Sequence, residues 1–92
     1  MDLNELRKRI DRTDEEIIRL VTERMDIASE IAAFKKANGL PVYQPDRERE
    51  KLAAVASKTR EDLREDMQAL FRLLIEQSRS YLERLNGGTE GD

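Results

Sequence analysis

The stretch Leu3–Lys36 reads LNELRKRIDRTDEEIIRLVTERMDIASEIAAFKK and contains neither Gly nor Pro. Its apolar residues recur in steps that alternate between three and four, which is the heptad spacing of a helix that packs along a seam. The ten seam positions are Leu3, Leu6, Ile10, Thr13, Ile17, Leu20, Arg24, Ile27, Ile31 and Phe34. Eight of them are apolar, and the exceptions are Thr13 and Arg24. The stretch therefore predicts one long amphipathic helix.

One position of this seam carries a full positive charge. A guanidinium such as that of Arg24 is costly to desolvate on an apolar face unless an anion meets it there. Arg7 and Lys35 lie in the row beside the seam, so two further cations border the same apolar stripe. Any function of the chain has to explain these three cations.

The length of the predicted helix indicates a partner. About 33 helical residues span roughly 50 Å, whereas a compact monomer of this size has a radius of gyration of about 12 Å. The helix is therefore longer than any globule that its own chain could build around it. A homodimer formed through this helix is the simplest way to cover the seam.

Composition narrows the possible chemistry. The 92 residues include no Cys and no His, which excludes disulfides, thiolate catalysis and the usual acid–base group at neutral pH. A net charge of −3 argues against nucleic acid as the partner. No apolar run reaches membrane-spanning length, and the N-terminal residues lack the apolar region of a signal peptide. We therefore expect a cytoplasmic protein with no membrane partner.

The rest of the chain predicts two shorter helices. The first helix is expected to begin near Asp2 or Asn4 and to end near Ala37 or Asn38, before Gly39. Residues 40–44 form an extended connector, since a residue before a proline is disfavoured in the helical conformation. Pro45 then suits the first position of a second helix that runs to about Ser57.

A third helix is expected to begin at Thr59–Asp62, which resembles a capping box. Its apolar stripe runs to Leu85 and is interrupted by Ser78. The predicted fold is all-α, with a long, a short and a medium helix in an intertwined homodimeric bundle. Residues 1–86 form the domain, and residues 87–92 form a disordered tail.

Four charged residues converge near the end of the first helix. Arg24 and Lys35 are eleven residues apart on nearly the same face, and Arg47 and Glu48 return beside them at the start of the second helix. One interpretation is structural: Arg24 pairs with a carboxylate such as Glu48, while Lys35 and Arg47 are solvated. The other is a binding site for an anion. Ser78 has a structural interpretation too, as a small polar residue bonded back to a carbonyl of its own helix.

Arg7 lies seventeen residues before Arg24, or roughly 25 Å along the helix. It cannot join the same small-ligand site within one chain. If two copies of the helix pack antiparallel, Arg7 of one copy approaches the Arg24–Lys35 segment of the other. Each site would then be shared between two subunits.

These motifs together resemble those of the all-helical chorismate mutase family. They are Leu6-Arg7-x-x-Ile10-Asp11-x-x-Asp14-x-x-Ile17, then Arg24, Lys35, Gly39-Leu40-Pro41-Val42-Tyr43 and Pro45-Asp46-Arg47-Glu48. The resemblance implies an intertwined homodimer that needs no metal or cofactor and binds a small dianionic substrate. It also implies the Claisen rearrangement of chorismate to prephenate, on the route to Phe and Tyr.

The resemblance further implies residue roles. Arg24 and the partner's Arg7 bind the two substrate carboxylates, and Lys35 donates to a carboxylate and to the ether oxygen. Arg47 organises the carboxylate end, and Glu48 accepts a hydrogen bond from the ring hydroxyl.

Ser78, by the same resemblance, bonds a substrate carboxylate. Two positions depart from the family pattern. Gln44 stands where some members have an Asp near the ring hydroxyl. Leu82 stands where many members have a Gln or an acid that donates to the ether oxygen, and loss of one such donor typically costs about 10²–10³ in rate.

The departures keep other functions open. A mutase acting on 4-amino-4-deoxychorismate would use the same carboxylate cage, with Gln44, Glu48 and Leu82 adapted to the amino group. An isochorismate pyruvate-lyase is a further alternative. A helical dimer module with a catalytically weak site is favoured by Leu82 and opposed by the retained cations.

Overall fold

The computed structural model describes residues 2–86, and no strand occurs among them. Their three α-helices and one short 3-10 turn follow in the order α1 (Leu3–Ala37), α2 (Pro45–Lys58), the turn Glu61–Leu63 and α3 (Arg64–Leu85). The predicted all-α fold with a long, a short and a medium helix is confirmed. The predicted tail at 87–92 lies outside the described residues.

The two ends of α1 follow from local capping. Asp2 caps the N-terminus, because its side chain accepts a hydrogen bond from the backbone N–H of Glu5 at 2.9 Å. Asn38 is the C-cap, and Gly39 then adopts a positive φ of 65°. A residue without a Cβ adopts this left-handed conformation at little cost, so Gly39 ends the helix where the sequence predicted.

The junction between α2 and α3 differs from the prediction. Pro45 is the first residue of α2, as expected, but Thr59 caps the C-terminus of α2 and does not begin α3. Its hydroxyl donates to the carbonyl of Val55 at 2.6 Å within α2, and neither the turn Glu61–Leu63 nor α3 has a side-chain capping bond at its N-terminus. The predicted capping box is therefore wrong, and α3 begins only at Arg64.

The packing within one chain is concentrated between α3 and the other two helices. Val55 of α2 is buried, and Gln68 of α3 donates to the carbonyl of Leu52 at 3.1 Å. Ser78 of α3 is the buried polar residue of the described chain. α2 and the C-terminal half of α1 therefore both pack against the middle of α3.

The seam of α1 stays uncovered within the single chain, because α1 contains no buried residue. The radius of gyration is 16.7 Å, well above the roughly 12 Å of a compact chain of this length. About half of the surface of each large apolar seam residue is exposed: Leu3, Leu6, Ile10, Ile17, Leu20, Ile27, Ile31 and Phe34.

None of the described helices combines the length and the apolar character that spanning a membrane would require.

Candidate active site

A hydrogen bond between two helices marks the centre of the site. Nη1 of Arg24 on α1 donates to Oγ of Ser78 on α3 at 3.0 Å. Ser78 is only 8% exposed, and its hydroxyl lies 3.6 Å from the Sδ of Met25, to which it donates. The hydroxyl thus faces α1 and not its own helix, so the interpretation of Ser78 as a self-bonded small residue is wrong.

The charge of Arg24 is not neutralised within residues 2–86, where no carboxylate lies within 4 Å of its guanidinium. The guanidinium carbon lies 5.9 Å from the ring centroid of Phe71, a cation–π contact. Glu48, the expected carboxylate partner, pairs with Arg79 instead. The structural interpretation of Arg24 as an ion-pair residue is therefore wrong for this chain.

Two cavities meet at Arg24, and we call them together the cationic cleft. The larger, of about 290 Å³, is lined by Arg24, Ile27, Ala28, Ile31, Arg47, Glu48, Lys51 and Ile75. The smaller, of about 180 Å³, is lined by Arg24, Ala28, Ile31, Ala32, Lys35, Val42, Ile75, Ser78 and Leu82. The fold therefore gathers four basic side chains, one carboxylate and one hydroxyl around an otherwise apolar pocket.

Lys35 is half-buried in the last turn of α1, where a cation interacts favourably with the helix dipole. Its Nζ donates to the carbonyl of Val42 at 3.3 Å. This bond ties the connector back across the end of the helix. It also keeps the ammonium group at the edge of the cleft, so the expectation that Lys35 is merely solvated is wrong.

A third cavity, of about 670 Å³, adjoins the cationic cleft and is lined by residues of α3, α2 and the connector. Its lining includes Glu48, Ser78 and Leu82, each of which also lines the cationic cleft. Leu82 thus faces the site, one turn after Ser78, and brings no hydrogen-bond donor there. The other polar residues of this cavity's wall are Tyr43, Arg79, Glu83 and Asn86.

Two of the sequence-predicted site residues lie elsewhere. Arg7 is exposed on the N-terminal half of α1, roughly 25 Å from Arg24 by helical rise. Gln44 is the N-cap of α2 without a side-chain capping bond. It lines a separate groove of about 470 Å³ with Tyr43 and Arg47. Neither side chain reaches the cleft of its own chain.

Two basic residues of the site were not anticipated from the sequence. Lys51 lies four residues after Arg47, on the same face of α2, and this helical spacing could have revealed it. Arg79 directly follows Ser78, but its contacts with Glu48 and Tyr43 depend on how α3 packs against α2 and the connector. No local pattern predicts that packing.

The arrangement is suited to bind a small anion and to stabilise negative charge that develops on it. In the described part of the chain, no group of three or more acidic side chains is placed to hold a metal ion. Glu48 is the one carboxylate of the cleft, and it lines the larger cavity together with Arg24, Arg47 and Lys51.

Known proteins with similar sequences were identified by comparison. The family model for chorismate mutase type II matches residues 6–83. A bifunctional chorismate mutase/prephenate dehydratase from Aquifex aeolicus is 53% identical over 49 residues, which are 53% of this chain and 14% of that protein. A chorismate mutase from Methanocaldococcus jannaschii is 40% identical over 47 residues, 51% of this chain and 48% of that protein. The matches thus span less than half the length of these curated relatives.

Solved structures match over nearly their whole length. Two forms of chorismate mutase from Thermus thermophilus are both 35% identical to this chain. Form I has a TM-score of 0.79 and covers 83% of this chain and 96% of its own. Form II has a TM-score of 0.83, with 89% and 94% covered. The chain therefore belongs to the chorismate mutase type II family.

Proposed function

We propose that this protein is a cytoplasmic chorismate mutase, which rearranges chorismate to prephenate on the route to Phe and Tyr. The observation that carries the proposal is the cation of Arg24, half-buried on an apolar seam, bonded to Ser78 and unpaired with any carboxylate within residues 2–86. A dianion is the partner that this arrangement lacks.

The reaction explains the residue types of the site. In the Claisen rearrangement an ether C–O bond breaks while a C–C bond forms, with no nucleophile and no proton transfer from the protein. The protein has to hold a flexible dianion in the reactive chair-like conformation. It also has to stabilise negative charge on the ether oxygen as the C–O bond breaks. Cations and hydroxyl donors on a largely apolar wall do both.

The proposed roles follow from position in the cleft. Arg24 and Ser78, already bonded to each other, bind one substrate carboxylate. Lys35 lies in the smaller cavity with them and donates to a carboxylate and to the ether oxygen. Arg47, which is 3.8 Å from Glu50 at the surface, organises the carboxylate end from the α2 side.

Glu48 is the acceptor for the ring hydroxyl in this proposal. It lines both the larger cavity of the cleft and the 670 Å³ cavity, so it stands between them. Gln44 lies one groove away and contributes at the periphery of this end of the site. The second substrate carboxylate requires Arg7, which has to come from another copy of the chain.

The proposed assembly is a homodimer through α1. Its support is the uncovered apolar seam and the elongated shape, with a longest dimension of 54 Å. Antiparallel packing of two α1 helices would bury both seams at once. It would also bring the partner's Arg7 to the Arg24–Lys35 segment, which completes each site.

We expect no folded monomer at micromolar concentration, because a monomer would expose the whole apolar seam of α1 to water. Sedimentation velocity between about 1 and 100 µM, with circular dichroism at the same concentrations, measures mass and helicity together. A single species of dimer mass is the expected result. A helical species of monomer mass would contradict both the proposed dimer and the proposed shared site.

The direct test of the function is the loss of chorismate absorbance in the ultraviolet on adding the protein, followed by product analysis. Prephenate as the product supports the proposal. Pyruvate release identifies a lyase instead, and no acceleration refutes the chorismate mutase activity.

A second candidate function is the rearrangement of 4-amino-4-deoxychorismate. The observation that favours it is Leu82, which lines the site without a donor. An apolar residue there would fit a site that selects the substrate with an amino group in place of the ring hydroxyl. Assay of both substrates in parallel separates the two mutase activities.

Leu82→Gln is expected to raise kcat on chorismate, by up to about 10², because it adds a donor for the developing charge on the ether oxygen. Leu73→Gln is the matched control, an exposed leucine of α3 that lines none of the cavities described above. Values of kcat/KM for both substrates in each variant measure the effect. A fall on chorismate would show that Leu82 serves packing or that another group already contacts the ether oxygen.

A further inference from the structure

Arg79 links three segments of the chain at one point. It belongs to α3, its Nη2 forms an ion pair with Oε2 of Glu48 on α2, and its guanidinium carbon lies 4.7 Å from the ring centroid of Tyr43 in the connector. All three residues line the 670 Å³ cavity, together with Ser78 and Leu82. The contact is therefore part of the wall of the proposed site.

The ion pair determines which atom of Glu48 is available to a ligand. Arg79 occupies Oε2, and no hydrogen bond within residues 2–86 reaches Oε1. A carboxylate has lone pairs on both oxygens, so Oε1 keeps its full capacity as an acceptor. The pair fixes the plane of the carboxylate while leaving one oxygen for a donor on the substrate.

The ion pair also changes the electrostatics of the cleft. Glu48 is the single acidic side chain among the residues that line the two cavities of the cleft. An unpaired carboxylate at that point would repel a dianion. Arg79 offsets its charge, so that Glu48 can accept a hydrogen bond without opposing the binding of the substrate.

We propose that Arg79 is a positioning residue that acts through Glu48: it orients this carboxylate towards the ring hydroxyl of the substrate and offsets its charge. The inference rests on the proposed function. Stacking on Tyr43 holds the planar guanidinium in place, and the planar fork suits both contacts in a way that an ammonium group does not.

The first measurement compares Arg79→Ala with Arg84→Ala. Arg84 lies on the same helix and contacts the ring of Tyr81, but it lines none of the cavities described. Arg79→Ala is expected to raise KM for chorismate by about five- to tenfold, with a smaller change in kcat, the scale of a partly exposed charge pair. Arg84→Ala is expected to change neither parameter more than about twofold.

The decisive measurement is a double-mutant cycle with Glu48→Gln. Because Arg79 acts through the carboxylate, Arg79→Ala in the Glu48→Gln background is expected to change KM by less than about twofold. Arg79→Lys, which keeps the charge but not the planar fork, is expected to recover only part of the wild-type KM. An equal factor in both backgrounds would show that Arg79 acts independently of Glu48 and would overturn the inference.

The outcomes for Arg79 and for the proposed function are distinguishable. No turnover of chorismate by the wild type refutes the proposed function itself. Turnover by the wild type with additive effects in the cycle refutes only the role of Arg79. If Arg79→Ala lowers the melting temperature strongly, Arg79→Gln takes its place in the cycle, since its amide retains a donor and part of the side-chain volume.

Discussion

Arg24→Leu is expected to lower kcat/KM for chorismate by about 10³ or more while leaving the folded protein as stable as before. The variant removes the hydrogen bond from Arg24 to Ser78. It also removes the guanidinium that we propose donates to a substrate carboxylate, so activity is expected to be lost. Removing a single donor of this type typically costs about 10²–10³ in rate, and here two groups are affected together.

The stability part of the prediction follows from the position of Arg24 on the seam. Its guanidinium is half-buried and meets no carboxylate within residues 2–86, so its burial is not offset by an ion pair. The bond to Ser78 is lost, but the hydroxyl keeps its contact with Met25. Leucine completes the apolar seam. We therefore expect the free energy of unfolding to change by less than about 1 kcal/mol, or to rise.

Thermal unfolding at one fixed protein concentration and steady-state kinetics measure the two parts separately. Arg19→Leu is the matched control on the same helix, because Arg19 is exposed and, among residues 2–86, its ion pairs are with its helical neighbours Glu16 and Glu23. It is expected to retain activity. A large fall in melting temperature for Arg24→Leu would show that Arg24 holds the fold together.

The main features of the fold were readable from local signals. The heptad spacing and the absence of Gly and Pro predicted α1, and Asp2, Gly39 and Pro45 marked helix ends that the structure confirms. These signals are reliable because capping and backbone conformation depend on a few neighbouring residues. The start of α3 was missed because Thr59 could cap either helix, and its hydroxyl is used by the helix that precedes it.

The sequence predicted which cations belong to the site better than it predicted which residues pair with each other there. Helical spacing brought Arg24, Lys35 and Arg47 towards one end of α1, and the structure places all three around the cationic cleft. The pairing of Glu48 with Arg79 joins residues 31 positions apart. Such a contact depends on the packing of whole helices against each other, and no spacing within one helix encodes it.

Mixing two inactive variants tests whether Arg7 serves the site of the other subunit. Arg7→Ala and Arg24→Ala are each expected to be nearly inactive, and mixing them with subunit exchange is expected to restore about a quarter of the wild-type activity. If each site uses Arg24 of one chain and Arg7 of the other, a heterodimer has one site with both lesions and one site with neither. Random exchange makes about half of the dimers heterodimeric, so about a quarter of all sites are intact.

The control for this recovery is a mixture of Arg24→Ala and Lys35→Ala. These two residues line the same cavity of a single chain, so every site of their heterodimer carries one lesion and none is intact. This mixture is expected to stay inactive under the same exchange conditions, verified by the mass of a tagged heterodimer. Recovery in the Arg7 mixture alone would show that Arg7 serves the site of the other subunit. Equal recovery in both mixtures, or in neither, would place Arg7 outside the shared site.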